Sequence, residues 1–286
     1  MSLSILLAIL FPVVSVLLFK EFDKRNIDTL TAIVFNYFGA IALGLVLFVT
    51  PSQLLTIHHQ AWFESALVVG ALFLLNFFLI AKTAVNQGVS VATFANKISL
   101  VFPVVFTIAY FSESTNVWKI VGIALALLSI FLLTFKSVNR VKSSNSVLVL
   151  YPFFIFIFTG IAETLINFTQ KKWFVSSNEI GYFVIAAFFI SFVFGIILLT
   201  VKRVKLNLKN VIAGLVLSIP NTFGLYYFVK SLNENTDSSS VLPMMNIGTL
   251  LFAILVGYFL YQENLTTRNW LGIVAALVSI LLLSVF

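Results

Sequence analysis

The segment Ser90–Phe135 aligns without a gap on Ser240–Val285, 150 residues further along the chain. Shared positions include Val91/Val241, Asn96/Asn246, Leu100/Leu250, Phe102/Phe252, Glu113/Glu263, Gly122/Gly272, Ala126/Ala276, Ser129/Ser279 and Ile130/Ile280. Both copies are strongly apolar. A chain that repeats a long apolar segment folds as two related sets of elements, and in a membrane two pseudo-symmetric halves can rock about a site between them.

Composition places those halves in lipid. Charged residues are 9% of the chain and apolar ones 60%, against about 25% charged in a soluble domain. Such a chain cannot cover a water-facing surface. It has no cysteine, which removes disulfides, thiolate metal sites and cysteine nucleophiles. The net charge of +7 sits in short basic runs between apolar stretches, as membrane-flanking charge does, so nucleic acid is not an expected partner. The opening MSLSILLAILFPVVSVLLFK lacks a basic leader region and a small-residue cleavage site. It reads as a first spanning helix.

A spanning helix needs about 20 mostly apolar residues. Ten such stretches are predicted, at about 2–19, 28–50, 61–83, 88–111, 117–135, 147–170, 179–201, 210–232, 238–261 and 267–286. Trp62, Trp118, Trp173 and Trp270 fall at their ends, where an amphipathic ring prefers the interface. The repeat extends to Asp28/Glu179, Gly44/Gly195 and Lys20/Lys171 at an offset of 151 and to Lys82/Lys230 at 148. The expected halves are residues 1–140 and 145–286, each with five spans. Five is odd, so the second half enters the membrane from the other side. The expected fold is therefore all-α, integral to the membrane, with ten helices as two inverted repeats around a midplane site. Most Lys and Arg follow odd-numbered spans, with Lys119, Lys171, Lys172 and Lys230 after even-numbered ones. Positive-inside reasoning then puts both termini outside.

The stretch AVNQGVSVATFANKISLVFPVVFTIAYFSESTNVWKIVGIALALLSIFLL resembles the EamA-type repeat of the drug/metabolite transporter superfamily. Small residues (Ala92, Ala95) enter a helix, Pro103 interrupts an apolar run, Glu113 stands at its end, and Gly122, Ala124 and Ala126 begin the next helix. Glu263, Gly272 and Ala276 supply the second copy. The pattern departs from the family where Ser112 and Gln262 replace the usual glycine before the glutamate, and where Ala253 stands opposite Pro103. The resemblance implies a ten-helix solute transporter, outward transport and both termini in the cytoplasm, the last against the charge distribution. A narrower likeness lies in IAETLINFTQKKW. Ala162, Glu163 and Lys171 are placed as in the first helix of the small multidrug resistance proteins, where the resemblance implies a glutamate binding protons and cationic substrates in competition. The first half has Pro12 opposite Glu163, so that acid occurs once.

Two ionisable residues lie deep inside predicted spans, Lys97 and Glu163. A charge at a helix centre costs roughly 2.5–3.5 kcal/mol on insertion scales. Lys97 is about 13 Å into its helix and Glu163 about 12 Å from the opposite face at 1.5 Å per residue, so both approach the middle of a core about 30 Å thick. They can face a cavity, with Glu163 trading a proton and Lys97 attracting a carboxylate, or they can join two helices as an ion pair, or Lys97 can snorkel to the interface. Asn96 and Asn246 occupy equivalent midplane positions, where a cavity or a facing helix must satisfy their amides. Asn76, Asn167 and Asn221 are candidates of the same kind. Tyr226 and Tyr227 can meet a ligand or pack. Pro12, Pro103, Pro220 and Pro243 fall within helices, where each removes a donor and kinks the backbone, as a hinge or as plain packing. Glu113 and Glu263 are expected to cap the helix that follows each. Gly122-x3-Ala126 and Gly272-x3-Ala276 are faces for close helix packing or for a homodimer contact. His58 and His59 have no companions that suggest a metal, and no cofactor is expected.

Taken together, the sequence is expected to encode a proton-coupled secondary transporter exporting small organic metabolites such as amino acids, in the inner membrane of a bacterium. An uncoupled facilitator or importer of sugar or nucleotide-related solutes, and a lipid flippase, remain as alternatives. An enzyme is not expected, because no motif joins a nucleophile to a base.

Overall fold

A computed structural model describes residues 2–48, 56–87, 89–134, 150–174, 177–235, 237–262 and 265–285. Glu263 lies outside them. The described residues form helices α1 (Leu3–Lys24), α2 (Thr29–Leu47), α3 (Phe63–Gln87), α4 (Val89–Ile98), α5 (Val101–Tyr110), α6 (Val117–Thr134), α7 (Tyr151–Trp173), α8 (Ser177–Val201), α9 (Leu208–Glu234), α10 (Ser238–Tyr261) and α11 (Thr267–Val285), with a single 3-10 turn at Ile57–His59. Among the described residues nine stretches are long and apolar enough to cross a membrane; the apolar part of α1, Leu3–Phe19, is slightly shorter. α1 still runs to Lys24, which makes it long enough to reach across. The described residues thus form an all-helical membrane protein with nine to ten stretches able to span.

The fourth predicted span is broken in two. Pro103 has no N–H for the carbonyl of Ser99. Instead Phe102 N reaches Ser99 O at 2.9 Å and Leu100 N reaches Lys97 O at 3.4 Å, tighter three-residue bonds that end α4 and start α5. α5 and α10 each stop beside a residue in the left-handed region, Ser112 (φ 52°) and Gln262 (φ 53°). These equivalent positions adopt a conformation for which glycine is the ordinary choice.

The helices gather into two compact units, Leu75–Asn167 with Asn235–Phe286, and Ser2–Leu74 with Phe168–Glu234. In the first, α6 and α11 pack along their length by reciprocal contacts. A methyl on Gly122 would meet Leu283 at 2.9 Å, and one on Gly272 would meet Leu133 at 2.8 Å. Ser129 Oγ donates to Gly272 O at 2.9 Å and Ser279 Oγ to Gly122 O at 2.7 Å. The repeat-equivalent pairs 122/272, 129/279 and 133/283 exchange roles, and the two helices run antiparallel. The small-residue faces thus serve packing within the chain.

The second unit shows the same reciprocity between α2 and α8, where Gly44 faces Ile185 and Gly195 faces Val34. α9 also lies against α2, with Gly214 against the carbonyl of Ala32, and Asp28 caps α2 by accepting from Thr31 N at 2.8 Å. Trp62 departs from expectation. It stands at the start of α3 but is buried, edge-on to Phe174 and Phe183, because this helix end packs on α8 rather than meeting solvent. Trp118 and Trp270 are exposed.

Candidate functional site

The first unit collects polar side chains from four helices that the chain separates widely. α4 contributes Asn96 and Lys97, α10 contributes Asn246, α3 contributes Asn76, and α7 contributes Thr159 and Glu163. The break after Ile98 ends α4 one residue beyond Lys97. Gly160 lets α7 approach α5, since a methyl there would fall 2.5 Å from the Phe102 ring. Thr159 and Glu163 follow each other at i,i+4 and so share a face of α7.

Two hydrogen-bonded groups result. In one, Lys97 Nζ donates to Asn246 Oδ1 at 3.0 Å, and the same asparagine is hydrogen-bonded to the Glu163 carboxylate. Among the described residues Lys97 and Glu163 form no direct ion pair, although their charges act on one another; the buried amide of Asn246 bridges them. In the other, Asn76 Nδ2 donates to Thr159 Oγ1 at 2.7 Å, and Thr159 Oγ1 donates to Asn96 Oδ1 at 2.9 Å. Among the described residues, two buried acceptors of this site are left without a protein partner, Glu163 Oε2 and Asn76 Oδ1. Each such atom costs about 1–3 kcal/mol when nothing satisfies it. The arrangement gathers an amine, a carboxyl group and three asparagine amides among apolar helices, with one open acceptor on the carboxyl group and one on Asn76.

The structure thus brings together Lys97, Glu163, Asn96, Asn246 and Asn76. Asn221 and Tyr226 belong to the second unit. Asn221 follows Pro220 in α9 and leaves Nδ2 buried and unpartnered. Tyr226 stacks on Phe48 with ring centroids 4.1 Å apart and planes 2° apart. Pro12 lies inside α1, where its ring and Phe11 come within 3.5 Å of a methyl placed on Gly224. Pro243 lies early in α10, one turn before Ile247. Thr159 is the residue the sequence reading missed, although its position one helical turn before Glu163 was legible. Asn167, one turn after Glu163, is fully buried, and neither amide atom has a partner among the described residues.

A second polar cluster stands at the start of α10. Lys119 is not a loop charge, as expected, but is buried within α6, with a side-chain exposure of 1%. Its Nζ donates to Asp237 Oδ1 at 2.7 Å and to Ser114 O at 2.8 Å, and lies 3.8 Å from Glu113 Oε2. Glu113 caps a helix, but not the one that follows it. Its carboxylate accepts from Ser238 N at 3.0 Å and Ser239 N at 2.9 Å, the first amides of α10. Asn116 Oδ1 takes the Lys119 amide at 2.7 Å and caps α6 instead. Partial burial works against the charge of Asp237, but hydrogen bonds with Glu113, Lys119 and Ser240 and the nearby ammonium outweigh it and hold the carboxyl down at about 2.

Comparison with known proteins agrees with this architecture. Residues 152–285 match the EamA-like transporter family. An uncharacterized protein of Haemophilus influenzae is 28% identical over 286 residues, spanning 97% of this chain and 96% of its own. A solved crystal structure superposes with a TM-score of 0.69 at 15% identity, covering 98% of this chain and 94% of the other, a likeness of fold. Over residues 152–285, somewhat less than half of its length, this chain is thus similar to the EamA-like transporter family.

Proposed function

We propose that the protein is a proton-coupled secondary transporter that exports amino acids or closely related metabolites by alternating access around Lys97, Asn246 and Glu163. The observation that carries this reading is the bridge itself: a buried amide joins a lysine on α4 to a glutamate on α7, and one glutamate oxygen has no protein partner among the described residues. Lys97 takes the solute carboxylate, and Glu163 takes either a proton or the solute ammonium. Competition between those two for one carboxylate couples the fluxes. Asn246 keeps the two charges apart when the site holds no solute, so that neither helix is locked to the other by an ion pair.

The reciprocal packing of equivalent helices, Gly122 on Leu283 with Gly272 on Leu133 and Gly44 on Ile185 with Gly195 on Val34, supports two inverted five-helix repeats over residues 1–140 and 145–286. Pro103 and Pro243 are the hinges closest in sequence to the site residues Lys97 and Asn246, and Pro12 and Pro220 serve the second unit. Outward transport rests on the resemblance, and location in a bacterial inner membrane is supported by the Haemophilus influenzae relative.

Proteoliposomes incubated with labelled amino acids test the mechanism. A pH gradient is expected to drive accumulation by the wild type, and Glu163→Gln to abolish that accumulation while leaving solute exchange measurable. Accumulation undiminished in Glu163→Gln overturns coupling through this residue. Transport indifferent to the gradient in the wild type selects an uncoupled facilitator of the same fold.

A further inference from the structure

We infer that the connection between α8 and α9 is a docking surface for the headgroups of anionic phospholipids, with Arg203 taking the phosphate and Lys202, Lys205 and Lys209 supplying the surrounding charge. The inference concerns the second unit alone and is independent of the transport reading.

Charge is the first observation. Residues 201–210 carry four bases, Lys202, Arg203, Lys205 and Lys209, and no acid. All four are exposed. The turn after α1 does not cancel them, because Lys20, Lys24 and Arg25 there are matched by Glu21, Asp23 and Asp28. Glu21 meets Lys24 at 2.7 Å and Arg25 at 3.9 Å, and Asp28 is committed to capping α2.

Exposed apolar side chains place that charge at a bilayer surface. Val201, Leu206 and Leu208 are 75%, 59% and 72% exposed and are interspersed with the bases along the chain. α8 and α9 are both long and apolar enough to span, so the junction between them falls at the boundary of the hydrocarbon. There the apolar side chains enter the acyl layer while the lysines and arginine reach outward to phosphates.

The connection is also held in shape. Val204 N returns to Leu199 O at 3.1 Å and Arg203 N to Thr200 O at 3.0 Å, which closes α8. Asn207 Oδ1 accepts from Lys209 N at 2.9 Å at the start of α9. Lys209 Nζ donates to Arg25 O at 2.6 Å, and Asp28 N donates to Asn210 Oδ1 at 3.2 Å, so the connection is tied to the turn after α1. Charges fixed in this way lose little freedom when a ligand binds.

Arg203 is the most telling residue. Its φ is 51°, in the left-handed region where glycine is ordinary and a Cβ is penalised. The matching turn after α1 uses Asn26 at the same φ of 51°, a residue type that tolerates it. An arginine here gives up local stability to place a guanidinium at the surface. A guanidinium takes two phosphate oxygens by parallel hydrogen bonds, which an ammonium cannot do.

Thermal melts of the purified full-length chain in neutral detergent, titrated with phosphatidylglycerol or phosphatidylcholine, test the inference. Phosphatidylglycerol is expected to stabilise the wild type at a mole fraction at least about tenfold lower than phosphatidylcholine, and high salt to erase the difference. Arg203→Gly should weaken phosphatidylglycerol about fivefold, the worth of one base at a membrane surface. In lipid-free detergent the same variant should melt at or above the wild-type temperature, because glycine relieves the backbone. Lys202→Gln with Lys205→Gln should weaken the lipid about 25-fold, whereas Lys171→Gln with Lys172→Gln, two bases before the start of α8, should leave its preference in place. Equal titrations of the two lipids in the wild type overturn the inference. So does an unchanged preference in Arg203→Gly or in the Lys202/Lys205 variant, or an equal loss in the Lys171/Lys172 variant. Stabilisation by inorganic phosphate that matches the lipid overturns it as well, by making the surface a site for a free anion.

Discussion

Replacing Lys119 with methionine keeps the length of the side chain and removes its charge. The structure sets what that removal should cost. Deleting one partner of a buried ion pair typically costs 3–5 kcal/mol, because the other charge is left uncompensated. Here the remaining acids are partly provided for. Asp237 has a side-chain exposure of 41% and keeps the hydroxyls of Ser239 and Ser240 at 3.0 and 2.9 Å. Glu113 has an exposure of 7% but keeps two backbone amides of α10. The bond to Ser114 O is lost outright, about 1 kcal/mol. The expected penalty is therefore at the low end of that range or just below it, about 2–3 kcal/mol. For a chain of this size that is roughly 3–5 °C in melting temperature.

Tryptophan fluorescence during thermal unfolding in detergent reads the effect, and a double-mutant cycle isolates it. Glu113→Gln alone should cost less than Lys119→Met, because Lys119 retains Asp237. The double variant should cost at least about 1 kcal/mol less than the sum of the two. A Lys119→Met protein that melts within about 2 °C of the parent, or costs that simply add, would refute the claim that this cluster holds the start of α10 to α6.

Two other expectations follow from the same physical terms. Gly214→Ala drives a methyl into the carbonyl of Ala32 and to 2.9 Å from Phe35 Cβ, so it should destabilise by about 1–3 kcal/mol, whereas Gly224→Ala meets Phe11 and Pro12 at an ordinary 3.5 Å and should stay within about 0.5 kcal/mol of the parent in the same melts. Because the carboxyl of Asp237 is lowered from 3.8 to about 2 in the folded chain, the unfolded chain takes the proton first; the stability it lends is complete above about pH 4 and is lost as pH falls through about 2. Its exposure limits this to below about 1 kcal/mol, and Asp237→Asn should remove that part of the acid slope, which melting temperatures taken from pH 6 down to pH 2 would show.

Helix type and approximate extent were legible along the chain because both are local properties. A run of about 20 apolar residues that cannot be solvated must satisfy its own backbone, and only a helix does so within one segment. Glycine and alanine at matched positions of the repeat marked close packing before any partner was visible. What could not be read was which helix receives a given side chain. Glu113 has the right character for a cap, but its amides come from Ser238 and Ser239, and nothing in the adjacent residues says so. Lys119 looks like a membrane-flanking charge until Asp237 is placed against it. Trp62 looks interfacial until Phe174 and Phe183 close over it.

The same division runs through the candidate site. Lys97 and Glu163 announced themselves by the cost of burying a charge, and Asn96 and Asn246 by their place in the repeat. Their connection did not. Lys97 meets Asn246 across 149 residues, Asn76 meets Thr159 across 83, and Thr159 meets Asn96 across 63. The sequence alone determined that this chain is a bundle of membrane-crossing helices with two unmatched charges inside it, because hydropathy and period are carried by neighbouring residues. The tertiary structure decided that an asparagine bridges those charges and that two acceptors are left open. A polar atom's partner is chosen by how helices pack, and that packing depends on contacts between residues far apart in the chain.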